Sequence, residues 1–471
     1  MVHYVTLALC LSTTLASAGE VPSGPAATFH GGAGPLAAGA VTEDWPDFLG
    51  PRRDSVCRET KLLVLWPKEG PRLVWEMSKG TGYSSPSIAG DRLVFFHRLN
   101  DQEVIECLNA ETGKRHLQVS YGTQYRDRFG YSNGPRATPV IHEGRVYTLG
   151  AAGMLSCTDI ESGQFLWQRD VARDFDLRQG FFGVGATPLI EGKLLIVNVG
   201  APSAGAGACV VAFDKDTGKT VWQCGDQWGA SYASPVAALV HGKRRVFVFT
   251  GGDSRPPVGG LLCIDPTDGR IDFRFPWRSR SYESVNASNP LVVDNQAFVT
   301  ASYQTGGAML AIEPDLKCRS LWTTDELGSH FGTPIHVDGH LYGVDGRHTE
   351  EAALVCVEVK TGRTVWRYEP QWEEQYEAYG QKRRASFGVG RGALLRCGDK
   401  FLCLGEIGHL MWLDLSPQNH RIVSKAWLFA APDSWTPPVV SRGLLYVAQN
   451  KRDFASQAPP RLMCYDLRGG E

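Results

Sequence analysis

The sequence predicts an all-β protein, an eight-bladed β-propeller whose blades are four-stranded antiparallel sheets. Three observations predict this fold: a turn motif that recurs along most of the chain, a proline motif ahead of each copy, and a spacing that suits a four-stranded sheet. The 471 residues include 53 glycines and 27 prolines, a composition typical of sheets joined by turns. No long amphipathic helical pattern competes with this interpretation.

The turn motif is clearest between Asp214 and Trp222, where the sequence reads DKDTGKTVW. Residues 210–213 before it read as a short buried strand, because a continuous apolar run bounded by turn residues is typical of a packed sheet. Asp and Thr hydrogen-bond nearby backbone and Gly218 accepts a positive φ, so the chain reverses into another strand. Similar copies are Gly163 with Trp167, Gly269 with Phe273 and Gly362 with Trp366.

A small polar residue followed by proline opens each unit. The pairs are Ser85-Pro86, Thr138-Pro139, Thr187-Pro188, Ser234-Pro235, Asn289-Pro290, Thr333-Pro334 and Thr436-Pro437, with a degenerate copy near residues 393–395. The first six prolines are 53, 49, 47, 55 and 44 residues apart, a period near that of four-stranded propeller blades. Because one such sheet cannot bury both faces alone, we predict radial stacking of eight.

The ends of the chain predict how the ring closes. The last unit contains Met463 and Cys464 and reaches Glu471 one strand short of four. Residues 73–75, Leu-Val-Trp, stand before the first proline motif and have no turn of their own. We predict that they pair beside the strand of Met463 and Cys464, which would close the ring and remove an exposed sheet edge.

The amino-terminal residues predict export. Residues 1–18 are interpreted as a secretory signal peptide, because an apolar run ends in Ala16-Ser17-Ala18, a small-residue cleavage pattern; the alternative is an apolar tail. Residues 19–43, rich in Gly, Ala and Pro, predict a flexible linker. Residues 44–471 form the propeller, with Trp45 and Phe48 expected on its rim. We expect no membrane span and a location in the periplasm or at the cell surface.

Charge gives no sign of a polyanionic partner. The formal net charge is −2 and the sequence pI is about 6.6, so neither nucleic acid nor an anionic membrane is an expected partner. We expect a monomer.

Repeated aromatic and cysteine positions are assigned to structure. Trp75, Trp167, Trp222, Trp322, Trp366 and Trp427 share one repeat position, with Leu117 and Phe273 in the remaining blades. One large side chain per blade is therefore expected to wedge between sheets. Cys107, Cys157, Cys263, Cys356 and Cys464 share another position, where a small apolar residue suffices. Outside the repeat lie Cys57, Cys209, Cys224, Cys318, Cys397 and Cys403; an exported protein could hold one disulfide among them, and the pairing stays open.

Candidate binding residues lie in the loops that enter the first strands, which open on one face around the channel mouth. They are Tyr83, Arg136, Phe182, Tyr232, Glu283, Asn286, His330, Phe387 and Trp435. Convergence of aromatic and polar groups at such a mouth is typical of a ligand site. The alternative is that the aromatic residues cap the core and the polar groups bond the strand ends. Longer loops at residues 121–133, 251–260 and 370–388 are further candidates for binding.

The pattern Ala-x-Asp-x-x-Thr-Gly-x-x-x-Trp at residues 212–222 resembles the repeat of the pyrroloquinoline-quinone (PQQ) type propellers. These include the quinoprotein alcohol dehydrogenases and BamB-type subunits of the outer-membrane assembly machinery. For the dehydrogenases the resemblance implies an adjacent Cys-Cys disulfide, a bound calcium ion, a stacking aromatic residue and an Asp base. This chain has no two consecutive cysteines and no compact set of oxygen ligands.

We therefore expect an exported, non-catalytic propeller, nearest in character to the BamB type, that presents its loop face to a protein, peptide or polysaccharide. No cofactor and no metal are expected. The alternative is a divergent PQQ-dependent oxidoreductase with PQQ and calcium, and a serine or cysteine hydrolase is a distant third. Fold resemblance alone does not choose among these functions.

Overall fold

Eight antiparallel sheets follow one another along the chain and form the blades of a propeller, which confirms the predicted fold class. They are seen in a computed structural model that describes residues 24, 26–201, 207–348 and 351–469. The predicted signal peptide, residues 1–18, lies outside the described residues.

The strands occur in the order of the sequence repeats. Ahead of the blades lie β1 (Thr28–Phe29), β2 (Val56–Cys57) and β3 (Arg72–Ser78). Blade 1 comprises β4 (Ser87–Ala89), β5 (Arg92–Leu99), β6 (Gln102–Asn109) and β7 (Arg115–Gly122). Blade 2 comprises β8 (Val140–His142), β9 (Arg145–Leu149), β10 (Met154–Asp159) and β11 (Phe165–Asp170), followed by the helix α1 (Val171–Asp174). Blade 3 comprises β12 (Leu189–Glu191), β13 (Leu194–Ala201), β14 (Ala208–Asp214) and β15 (Thr220–Cys224).

The second half of the ring continues the pattern with one addition. Blade 4 comprises β16 (Val236–Val240), β17 (Lys243–Thr250), β18 (Gly260–Ile264) and β19 (Ile271–Pro276). Blade 5 comprises β20 (Leu291–Val293), β21 (Gln296–Ala301), β22 (Gly306–Ile312) and β23 (Cys318–Thr324). Blade 6 comprises β24 (Ile335–Val337), β25 (His340–Asp345), β26 (Ala353–Glu358) and β27 (Thr364–Tyr368). A separate hairpin of β28 (Trp372–Ala378) and β29 (Gln381–Phe387) precedes blade 7, which comprises β30 (Ala393–Cys397), β31 (Lys400–Leu404), β32 (His409–Ser416) and β33 (Asn419–Trp427). Blade 8 comprises β34 (Val439–Ser441), β35 (Leu444–Gln449), β36 (Arg461–Asp466) and β3.

The turn between the third and fourth strands forms as the repeat predicts. In blade 3, Asp214 accepts hydrogen bonds from the Thr217 backbone at 2.8 Å and from its hydroxyl at 2.7 Å. Gly218 follows with a φ of 69°, a conformation that costs glycine little. The chain therefore reverses within five residues, and Trp222 comes to lie opposite Ala212.

The first strands surround the axis, because those of neighbouring blades touch, as β4 does β8 and β12 does β16. The fourth strands lie outermost, and exposed side chains such as Leu166 alternate along β11. Between the blades lie apolar clusters to which both neighbours contribute, for example Tyr147 of blade 2 with Leu195 and Phe213 of blade 3.

Ring closure by the amino-terminal strand is confirmed. Strand β3 pairs antiparallel with β36, and Trp75 lies opposite Cys464 and Glu76 opposite Met463. Blade 8 gains its fourth strand in this way. Strand β1 extends the same sheet beyond β3, so part of the segment predicted as a flexible linker lies against blade 8.

The proline motifs link the first six blades in succession. The backbone N–H of the residue before proline donates to the side chain of its counterpart one blade further on, for example from Thr138 to Thr187 at 3.0 Å. The other links are Ser85 to Thr138 (3.3 Å), Thr187 to Ser234 (2.9 Å), Ser234 to Asn289 (2.7 Å) and Asn289 to Thr333 (3.1 Å). A buried N–H needs such a partner, which explains why this position is polar.

Residues 44–57, hereafter the plug segment, cross the axis. Trp45 exchanges backbone hydrogen bonds with Ile88 of blade 1, and the carbonyl of Pro46 accepts from Ile141 of blade 2. The guanidinium of Arg53 donates to the carbonyls of Pro188 and Pro235, which enter blades 3 and 4. The expected place of Trp45 on the rim is therefore wrong: it is 2% exposed and packs beside the innermost strand of blade 1.

The plug segment ends at blade 7. Strand β2 pairs in parallel with β30 of blade 7, and the carbonyl of Ser55 accepts from the Arg396 backbone at 2.9 Å. Asp47 and Arg53 form a bidentate ion pair at 2.7 and 2.8 Å within this segment. Within the described residues, no helix is long and apolar enough to cross a membrane.

Candidate functional site

A cavity of about 450 Å³ opens on the loop face at the mouth of the axis. Every blade contributes to its lining through the loop that enters its first strand, and Tyr303 and Arg347 come from loops joining second and third strands. Phe48 brings the plug segment into the lining as well. The cavity therefore depends on the complete ring and on the segment that crosses it.

The structure brings together most of the residues proposed from sequence for this mouth. Those that line the cavity are Tyr83, Arg136, Phe182, Tyr232, Glu283, His330 and Trp435. Asn286 is fully buried, and its amide donates to the carbonyls of Thr250 and Trp277 at 2.7 and 2.9 Å. It bonds strand ends, as the alternative interpretation expects of polar groups in these loops.

Phe387 lies away from the cavity. It ends the hairpin strand β29 and packs against His409 and Trp427, with ring centroids 5.2 and 5.1 Å apart. The inserted hairpin displaces the true entering loop of blade 7 toward Arg391 and Gly392, which do line the cavity.

Aromatic rings form a nearly continuous wall. Trp435 contacts Tyr83, Phe331 and Tyr131 with centroid distances of 5.2, 5.2 and 5.7 Å. Tyr131 then contacts Phe182, which contacts Tyr232, each at 5.6 Å. Burial raises the pKa of Tyr83 well above its usual value, and nearby Asp433 raises it further. Tyr83 therefore acts as a neutral, partly apolar surface.

Three arginines enter the lining, and two of them are paired inside the protein. Arg136 donates to the buried carboxylate of Asp127 at 2.9 Å. Arg391 pairs with Glu406, whose other contacts include the indole N–H of Trp435 at 2.9 Å. Burial opposes ionisation of Glu406, but Arg391 and Trp435 hold its pKa below the usual range.

Arg347 differs from the other two arginines. Its guanidinium lies 4.2 Å from the ring centre of Tyr303, and within residues 24, 26–201, 207–348 and 351–469 no hydrogen bond or ion pair engages it. Stacking on an aromatic face leaves the edge donors of a guanidinium available. Arg347 therefore supplies a cationic donor group to the cavity.

His330 adds a buried polar atom. It stacks on Phe331 with centroids 4.1 Å apart, and its Nδ1 has no partner within the described part of the chain. Burial lowers the pKa of His330 to about 3, and the charges of Arg391 and Arg347 act in the same direction. The imidazole is neutral at physiological pH, so it offers one donor and one acceptor rather than a charge.

The described lining holds one carboxylate, two histidines and several tyrosines. Glu283 is its one carboxylate among the described residues, and it accepts from the Ser281 hydroxyl at 2.8 Å. No serine, threonine, cysteine or lysine belongs to the described lining. A serine, threonine, cysteine or lysine nucleophile is therefore missing from the described lining.

Residues 130–134 read Gly-Tyr-Ser-Asn-Gly, a Gly-x-Ser-x-Gly pattern that sequence reasoning missed. In serine hydrolases this pattern occupies a sharp turn between a strand and a helix. Here it lies in the long loop between blades 1 and 2, and the Ser132 hydroxyl accepts from the Gly134 backbone at 3.2 Å. The context does not fit a nucleophile elbow.

Comparison with known proteins agrees with the architecture. The model of the family described as outer membrane protein assembly factor BamB matches residues 55–175 and 100–368, together more than half of the chain. The quinoprotein alcohol dehydrogenase PedH of Pseudomonas putida is 26% identical over 145 residues, which are 30% of this chain and 23% of that enzyme. The chain thus matches less than a quarter of its curated relative.

Solved structures show the same fold. BamB from Moraxella catarrhalis superposes with a TM-score of 0.54 at 16% identity, covering 85% of this chain and 98% of that protein. A europium-containing methanol dehydrogenase gives 0.61 at 10% identity, covering 90% and 98%. The protein is a PQQ-like β-propeller. Within that class, the chain belongs to the family described as outer membrane protein assembly factor BamB.

The residues of the cavity do not fit a calcium-bound PQQ. Aromatic rings and arginines would suit a planar polycarboxylate, but calcium takes about six to eight oxygen ligands. Glu283 is the one carboxylate that the described lining offers, and no cluster of three or more His, Cys, Asp or Glu with metal-binding geometry occurs among the described residues.

Proposed function

We propose that the protein is a non-catalytic binding module that receives an acidic and aromatic segment of a protein or peptide partner in the loop-face cavity. The observation that carries the proposal is the combination of a cavity lined by aromatic rings with Arg347, an arginine that no hydrogen bond or ion pair engages among the described residues. No cofactor is required for this function.

The size of the cavity suits side chains rather than a whole domain. About 450 Å³ is within the range of ligand pockets. Its wall of rings can bury an aromatic side chain in offset or edge-to-face contact. Phe129 and Tyr131 at the entrance are 53% and 43% exposed, so apolar surface extends beyond the cavity toward a larger partner.

The charges of the cavity arginines favour an acidic ligand. Arg136 and Arg391 are neutralised by Asp127 and Glu406, whereas Arg347 keeps its donors for a ligand carboxylate. A charge-assisted hydrogen bond of this kind is about twice as strong as a neutral one. A neutral polysaccharide would stack on the rings but leave Arg347 unpaired, which favours an acidic peptide over a sugar chain.

Peptide binding tests the proposal directly. A library of fluorescent hexapeptides, each with one Asp or Glu beside one Phe or Trp, is titrated with wild-type protein and with Arg347→Gln. We expect the variant to bind about tenfold more weakly or worse, since a hydrogen bond to a charged group contributes about 1.5–3 kcal/mol. Arg383→Gln, an exposed arginine on the hairpin tip side of β29, is the matched control and should bind like the wild type.

Three results would contradict the proposal. One is equal peptide binding by wild type and Arg347→Gln. Another is preferential binding of neutral oligosaccharides by the same cavity. The third is retention of PQQ in equilibrium dialysis with calcium together with oxidation of primary alcohols by an artificial electron acceptor, which would favour the divergent oxidoreductase.

We also propose that the protein is exported and acts in the periplasm or at the cell surface. The signal-like segment at residues 1–18 and membership of a family described by outer-membrane assembly support this location. Fractionation of cells that produce the full chain, with amino-terminal sequencing of the product, tests it. A protein that keeps residues 1–18 and stays in the cytoplasm would refute it.

A further inference from the structure

Two cysteines face each other where the plug segment meets the ring. Strand β2 lies parallel to β30, and Cys57 is the register partner of Cys397, as Val56 is of Arg396. Neighbouring strands lie about 4.8 Å apart, and disulfides join residues whose Cα atoms are about 4.4–6.8 Å apart. The backbone separation is therefore already that of a disulfide.

Both side chains point to the same side of the sheet. Cys57 and Cys397 belong to one apolar cluster, together with Leu395 and Trp412. Val56, the neighbour of Cys57, packs into a different cluster on the opposite face. The two sulfur atoms thus share one small space, with side-chain exposures of 1% and 6%.

The thiols interact in the reduced protein. Burial raises the pKa of Cys397 well above its usual value, and a hydrogen bond with the Cys57 thiol raises it further. Protonated, buried thiols exchange slowly. Oxidation is therefore expected while the plug segment is being seated rather than after the fold is complete.

We propose that Cys57 and Cys397 form a disulfide bond that fastens the plug segment to blade 7. In this step the two thiols lose two protons and two electrons and form one S–S bond. A small-molecule disulfide or a dithiol–disulfide exchange protein accepts the electrons, and its own S–S bond is reduced to two thiols. A mixed disulfide on one of the two cysteines is the intermediate.

No other described cysteine outside the repeat faces a second cysteine in the register of its sheet. Cys224 lies opposite Val210, one residue out of register with Cys209, which faces Gly225. Cys403 lies between Leu394 and Met411, and Cys318 lies opposite Ile312. Among the described cysteines, register therefore singles out Cys57 and Cys397.

Peptide mapping tests the bond. The full chain is unfolded and reduced, then refolded in a buffer of oxidised and reduced glutathione, alkylated, and digested without reductant. Mass spectrometry should find Cys57 and Cys397 in one linked pair of peptides and the other nine of the eleven described cysteines alkylated. Alkylation of both Cys57 and Cys397, or a link from either to another cysteine, would overturn the proposal.

Thermal unfolding tests whether the bond fastens the segment. Oxidised wild type should melt about 3 °C or more above the reduced protein, because a cross-link restricts the unfolded chain. The difference should vanish in the double variant Cys57→Ala with Cys397→Ala and persist in Cys403→Ala, the control on the same blade. If the linked peptides are found but the melting temperature is the same in the oxidised and reduced protein, the bond does not stabilise the attachment of the plug segment to blade 7.

Discussion

The indole of Trp222 in blade 3 covers Gly269 in the turn of blade 4. A Cβ placed on Gly269 would stand 2.7 Å from Cε3 of that ring, and the indole N–H donates to the carbonyl of Pro266 at 2.9 Å. Trp167 meets Gly218 in the same way, and Trp322 meets Gly362. The tryptophan of one blade and the turn glycine of the next thus form a contact that recurs between neighbouring blades.

Gly269→Ala should destabilise the fold more than an ordinary turn substitution. Gly269 has a φ of 77°, which costs alanine about 1–2 kcal/mol, and overpacking against Trp222 adds about 1–3 kcal/mol. Gly242→Ala is the control, since Gly242 has a φ of 72° but open space around its Cα. Urea unfolding of the two variants measures the difference, and equal midpoints would contradict the steric argument.

Trp222→Ala should lower the free energy of unfolding by about 3–5 kcal/mol, because a buried ring leaves a cavity between blades. Trp222 is 8% exposed, whereas its neighbour Val221 is 52% exposed. Val221→Ala should therefore change stability by less than about 0.5 kcal/mol. Urea unfolding of both variants measures the loss. If Trp222→Ala loses no more unfolding free energy than Val221→Ala, Trp222 does not stabilise the contact between blades.

Thr187→Val tests the hydrogen bonds that join the blades. The substitution keeps the shape of the side chain but leaves the buried N–H of Thr138 without an acceptor, at a cost of about 1–3 kcal/mol. Thr187→Ser keeps the hydroxyl and should cost clearly less. If the two variants unfold at the same denaturant concentration, the hydroxyl contributes nothing.

Arg53→Gln should destabilise the plug segment. It removes donors from the carbonyls of Pro188 and Pro235 and leaves Asp47 unpaired in a buried place, which costs about 3–5 kcal/mol. Arg72→Gln breaks a pair with Asp466 in which the arginine is 52% exposed, so about 1 kcal/mol or less is expected. Hydrogen exchange of residues 44–57 should accelerate in Arg53→Gln and not in Arg72→Gln.

Stability should fall as the pH is lowered, partly because of His409. Burial lowers the pKa of His409 to about 3, and Lys425 acts in the same direction, while Glu374 lies 3.7 Å away. The unfolded chain binds a proton near pH 6.5 and the folded protein does not, so stability is lost from about pH 6.5 down to about pH 3, at about 1.4 kcal/mol per pH unit. His409→Phe should flatten this slope. His116→Phe, at an exposed position, should leave it unchanged, and equal slopes in all three proteins would exclude His409 as a cause.

Most of the architecture could be predicted from the sequence repeat. The spacing of the proline motifs predicted the number of blades. The strand around Trp75, which has no turn of its own, predicted that the ring closes by pairing with the strand of Cys464. The plug segment was not accessible, because its contacts are to backbone carbonyls such as that of Pro188, which carry no sequence signal. Local composition near Trp45 therefore pointed to the rim although the chain crosses the axis.

The site residues could be predicted from the sequence where the loops that enter the blades are short. Tyr83, Tyr232 and Trp435 come directly before their first strands, so their place followed from the repeat. Phe387 was misplaced by the hairpin insertion, which shifts the entering loop of blade 7 to Arg391. The cationic character of the cavity depends on which arginines are neutralised by Asp127 and Glu406, and that pairing is set by tertiary contacts alone.

Closure of blade 8 by β3 has a consequence for synthesis on the ribosome. Ser78 ends β3 and Arg461 begins its partner strand, so 382 residues must emerge between them (residues 79–460). At about 5–20 residues per second this takes roughly 20–80 s. During that interval the edge of β3 that later pairs with β36 has no partner strand, and we expect a chaperone that holds nascent chains to bind there.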